Sequence, residues 1–107
     1  MPVQEMFYLK LILYRGTTMV DVIEAKHIID YKIEITFSDS IRGIIDFSEY
    51  LDRRGLFKKL NDFDFFKNFR VNNEIGTICW ENGLDISPET LYYKITGIKP
   101  EWMQSNS

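Results

Sequence analysis

The sequence predicts an α+β domain built on antiparallel strands, with short helices and one helix near the C-terminus. Three observations carry that expectation. Tyr31, Ile33, Ile35 and Phe37 alternate with Lys32, Glu34 and Thr36, which places the four apolar side chains on one face of a pleated strand. Gly43-Ile44-Ile45-Asp46-Phe47 returns after the turn residues Ser38-Asp39-Ser40 and reads as the hairpin partner. Ser87-Pro88-Glu89 has the order of a helix start: a hydroxyl cap, proline at the first helical position, and a carboxylate near the positive end of the dipole.

The remaining elements follow in chain order. Met6 to Tyr14 is a dense apolar and aromatic run ended by Arg15-Gly16-Thr17-Thr18, and its length favours a strand. A second strand is expected from Val20 to Ile28, with alternation too irregular to assign its buried face. After the hairpin, Ser48 is expected to cap a short helix whose last turn carries Arg53 and Arg54 before Gly55, where cations suit the negative end of a helix dipole. A second short helix should begin near Asn61 or Asp62 and include Phe65, Phe66 and Lys67. Strands Phe69 to Asn72 and Ile75 to Trp80 come next, joined through Asn73 and Glu74. Asn82-Gly83 then predicts a tight turn, because both residues tolerate positive φ. The last helix should run from Pro88 to about Ile95, with Gly97 after it and a short, partly polar tail in which Trp102 is able to dock.

A chain of 107 residues has the size of one domain. We expect that domain over residues 19–107, with residues 1–18 as an N-terminal extension that can add a strand. Apolar residues make up 45% of the chain, including eight Phe, six Tyr and two Trp, enough to offset the entropy of ordering a backbone. No apolar run reaches the roughly 20 residues that a membrane span needs, so no membrane association is expected. A secretory pattern is missing at the N-terminus, and the single cysteine, Cys79, has no internal partner; both favour a cytoplasmic setting. The formal charge of -3 opposes sequence-independent attraction to a polyanion.

Chemistry is thinly provided for. His27 is the sole histidine, and catalysis or metal binding would need converging partners, so a structural or surface role is expected. Cys79 beside Trp80 reads as a small buried hydrophobe. The carboxylate pairs Asp62 with Asp64 and Glu81 with Asp85 lie near a helix start and a turn, where capping accounts for them. No glycine-rich phosphate loop is present, since the six glycines are scattered. The pairs Arg53-Arg54 and Lys58-Lys59, with Lys67 and Arg70, form the one cationic stretch suited to a phosphate or an acidic partner; a solvated helix end and loop explain them without a ligand and are the favoured reading. Trp80 to Tyr92 also has two readings. Either Asp85 satisfies loop amides while Trp80, Leu91 and Tyr92 pack together, or the exposed aromatics anchor a partner.

Asp30 to Asp39, Asp46-Phe47-Ser48 with Leu51, Leu60 with Asp62 and Phe66, and above all Trp80-Glu81-Asn82-Gly83-Leu84-Asp85-Ile86 with Pro88, Leu91 and Tyr92 resemble the bacterial domain-of-unknown-function family 2442. The resemblance covers about Met19 to Ile95. It implies a two-layer α+β fold with a mostly antiparallel curved sheet, and a gene set beside a small companion in arrangements similar to toxin–antitoxin pairs. Ser40 departs from the family, which usually shows glycine there. The tail is too short for the DNA-reading domain that some relatives carry.

The resulting expectation is a non-catalytic protein-binding module, resembling an antitoxin, with no cofactor and no metal. Its partner would be a companion toxin, met through Trp80, Asn82, Asp85 and Tyr92, with Arg53, Arg54, Lys58 and Lys59 as an anion patch. The apolar run Met6 to Tyr14 would form a homodimer or partner interface. The alternative is a nucleic-acid-associated regulator that uses the Arg53 to Lys59 region.

Overall fold

The computed structural model describes residues 20–100. The run Met6 to Tyr14, with the interface expected of it, and Trp102 lie outside the described residues. The described part is α+β. Strands β1 (Val22–Ile29), β2 (Lys32–Phe37) and β3 (Arg42–Asp46) form an antiparallel sheet in the order β1-β2-β3. Strands β4 (Arg70–Asn72) and β5 (Thr77–Cys79) form a separate two-stranded antiparallel sheet. The two sheets meet where the Val22 N–H donates to the Gly76 carbonyl at 2.8 Å. Between β3 and β4 lie 3₁₀ turns at Phe47–Tyr50 and Gly55–Asn61 and the short helix α1 (Phe63–Lys67). Helix α2 (Pro88–Thr96) follows β5.

The alternation in β2 works as its chemistry requires. Ile33, Ile35 and Phe37 are fully buried, with Ile45 of β3 opposite Ile33 and Ala25 of β1 opposite Ile35. The opposite face is not wholly solvated, because Thr36 is buried as well. Register shifts at Val22/Glu24 and His27/Ile29 explain why β1 showed no clean alternation: each irregularity resets which side chains face inward, and such bulges bend a strand. Ser40 holds a φ of 77°, the left-handed conformation for which glycine is usual.

Helix α2 buries Leu91 and Tyr92, and its Ile95 meets β3 at Gly43. A β-carbon there would sit 2.7 Å from Ile95 Cγ2, so glycine is what lets helix and strand approach. The capping signals hold: Ser87 Oγ accepts from the Thr90 N–H at 3.2 Å, Pro88 opens the helix, and Gly97 ends it at φ 79°. Asp62 caps α1 by accepting from the Phe65 N–H.

Three local expectations are corrected. Asp46, not Ser48, caps the turn after β3; its Oδ1 accepts from the Ser48 N–H at 3.0 Å, and this bond holds the Asp46 carboxyl below the usual carboxylate range. That turn closes at Tyr50, so Arg53 lies in the following loop and Arg54 immediately precedes the next 3₁₀ turn, at its N-terminal and not a C-terminal end. The strand expected from Ile75 starts at Thr77, because Asn72 Oδ1 accepts from the N–H groups of Glu74 and Ile75 and Gly76 turns the chain at φ 70°.

Candidate functional site

An open cleft of about 400 Å³ lies between the 3₁₀ segments and helix α2. One wall is aromatic: Tyr50 and Phe57, one from each 3₁₀ turn, stack with ring centroids 5.4 Å apart and planes 8° from parallel. Arg53, from the loop between them, sets its Cζ 4.5 Å from the Tyr50 centroid and 5.4 Å from that of Phe57. The opposite wall comes from α2. Helical spacing puts Thr90, Tyr93 and Lys94 on one face and turns Leu91, Tyr92 and Ile95 toward the core. Asp85 and Ile86, just after the Asn82-Gly83 turn, complete the lining.

Charges in the cleft are arranged unequally. Lys94 is already paired, through its Nζ, with the Glu49 carboxylate, and lies 5.3 Å from the Tyr50 centroid. Burial works against the Lys94 charge, but the Glu49 hydrogen bond and the neighbouring Tyr50 outweigh it and raise the ammonium pKa. Burial pushes the Tyr50 phenol up, against the pull of Lys94. Arg53 and Asp85 line the same cleft and form no ion pair with each other or with another described residue. The Arg53 guanidinium rests on rings alone, a contact worth about 0.5–1 kcal/mol at an exposed site.

The residues named from sequence separate here. Arg53 and Asp85 meet in the cleft. Trp80 does not: it is 2% exposed, packs against Phe47, Phe66 and Phe69, and donates from Nε1 to the Phe66 carbonyl at 2.9 Å. Its indole is core, so the reading of Trp80 as an exposed anchor is corrected. Tyr92 is buried too, edge-on to Phe37, with its phenol donating to Asp39 Oδ2. Asn82 is half-buried and structural. Its amide donates to the Leu56 carbonyl and its Oδ1 accepts from the Leu84 N–H, the task expected of Asp85. Arg54 and Lys58 are exposed, and Lys59 lies 3.9 Å from the Asp62 carboxylate.

Tyr50, Phe57, Thr90, Tyr93 and Lys94 escaped the sequence reading. The signal for the last three was present in the helical spacing of Pro88 to Ile95. Tyr50 and Phe57 gave none, since neither sits in a periodic segment.

His27 lies on the edge strand β1, opposite Ile33, half-buried, with Nε2 donating to the Asp30 carbonyl at 2.8 Å and its ring edge-on to Phe63. Among the described residues no group of three His, Cys, Asp or Glu is arranged to hold a metal ion, and no helix is long and apolar enough to cross a membrane. No curated protein and no solved structure matches the chain. A family model described as a protein of unknown function, DUF2442, matches residues 22–97, which contain the whole lining of the cleft. The chain belongs to the DUF2442 family.

Proposed function

We propose that the domain is a non-catalytic protein-binding module, acting in the bacterial cytoplasm as the antitoxin-like member of a pair with a companion protein. The observation that supports this reading most is the cleft lined by Arg53, which rests on an aromatic shelf, and by the oppositely charged Asp85, with no ion pair between them. Both side chains are exposed and hydrated, so each can exchange water for a partner group, and aromatic and arginine residues carry much of the energy at protein interfaces. A proton-transfer reading has less support, because His27 is engaged with Asp30 and Phe63 far along the chain from the cleft residues.

The test is thermal. The full chain is melted alone and after co-expression with the protein encoded beside it; a partner that binds only the folded state raises the melting temperature, with a stabilisation that grows as the logarithm of its concentration over Kd. An unchanged melting temperature, with no co-purification of the neighbour, would remove this reading.

A second reading, a nucleic-acid-associated regulator, draws on Arg54 and Lys58, which are exposed and make no ion pair with described residues. Retention of the chain on DNA that falls steeply with salt would favour it. The overall charge of -3 weighs against it.

A further inference from the structure

Resting on the reading of the cleft as a protein-binding site, we infer that it recognises an acidic side chain of an extended partner segment, with the carboxylate held by Arg53 on the Tyr50–Phe57 shelf. Two rings lie against the Arg53 guanidinium, at 4.5 and 5.4 Å, and restrict where it can go. Its N–H donors meet no acceptor among the described residues. A guanidinium positioned in this way offers a planar fork of donors that matches a carboxylate in two parallel hydrogen bonds.

The other charges set the polarity of the ligand. Lys94 is bound to Glu49, so its charge is largely answered within the protein. Among the described residues no donor meets the Asp85 carboxylate, which lines the same space. It repels a second carboxylate and is placed to accept from an N–H of the segment. The cleft is therefore dipolar, which orients a segment that carries one acid and penalises a uniformly acidic one. A cavity of about 400 Å³ has room for a side chain with its flanking backbone, not for a folded surface.

The experiment uses the ¹⁵N-labelled full chain, titrated with N-acetylglutamate methylamide, its glutamine counterpart and inorganic phosphate. The glutamate compound should shift the Arg53 side-chain N–H and the Thr90 and Tyr93 amides saturably, and the glutamine compound should bind about tenfold more weakly or worse. Arg53→Gln should abolish the glutamate shifts while leaving the dispersed spectrum intact, and Asp85→Asn should tighten binding severalfold. Absence of saturable shifts in the native chain, equal response to glutamine, an unchanged response in Arg53→Gln, or tighter binding of phosphate than of glutamate would each overturn the inference. If the co-expressed neighbour still stabilises the chain when the glutamate response fails, only this inference falls. If the neighbour fails and glutamate binds, the module reading falls instead.

Discussion

The Tyr92 phenol donates a 2.6 Å hydrogen bond to Asp39 Oδ2, tying the last helix to the turn between β2 and β3 across 53 positions of sequence. The same bond, which suits only the neutral phenol, is the main cause that raises the Tyr92 pKa, with burial second. A raised tyrosine pKa contributes stability that is full below the ordinary value of about 10 and is lost as pH rises through the folded-state value. Tyr92→Phe should therefore cost about 0.5–1.5 kcal/mol at neutral pH. It should also lose less stability than the native chain on going from neutral to strongly alkaline solution. Some alkaline loss will remain, since burial raises Tyr50 as well. Urea unfolding at the two pH values checks both, and identical pH profiles would show that the bond does not form.

Trp80→Ala should destabilise the domain by about 3–5 kcal/mol, the usual cost of emptying a large aromatic site. Its ring fills the space between Phe47, Phe66 and Phe69, and its N–H satisfies the Phe66 carbonyl. A loss below about 1 kcal/mol in urea titration would put the indole at the surface.

Gly43→Ala should cost about 1–3 kcal/mol through overpacking, because the new methyl meets three Ile95 side-chain carbons at 2.7 to 3.0 Å. Ile95→Ala in the same chain should recover part of that loss, so a double-mutant cycle should return a coupling energy of at least about 0.5 kcal/mol. Strict additivity would mean that the helix and strand have already separated.

Two turn positions should respond in opposite directions. Gly83 has a φ of 92° with open space around its α-carbon, so Gly83→Val is penalised by its backbone and not by a clash, at about 1–2 kcal/mol. Ser40 carries a positive φ without being glycine, and Ser40→Gly should raise stability by up to about 1 kcal/mol once the greater freedom of the unfolded chain is subtracted. Chemical denaturation of both variants reads the signs directly. Destabilisation by Ser40→Gly would show that the serine is not strained.

What could be read before folding was local. The inward face of β2, the Asp62 and Ser87 caps, the Asn82-Gly83 turn and the glycine after the last helix depend on backbone sterics and on hydrogen bonds between residues a few positions apart. Such rules leave their mark in neighbouring residues. The sequence by itself thus determined the α+β class, the β2–β3 hairpin and the helix from Pro88. Tertiary structure alone decided what each aromatic and each charge does. Trp80 beside a polar loop was compatible with core or surface until the Phe66 carbonyl, 14 positions away, was brought to its indole. Asn82 became structural by reaching Leu56, 26 positions away. The cleft exists only because two 3₁₀ turns with no periodic signature pack beside one face of the last helix. Burial and long-range pairing are properties of surfaces that meet after folding, and no spacing along the chain encodes them.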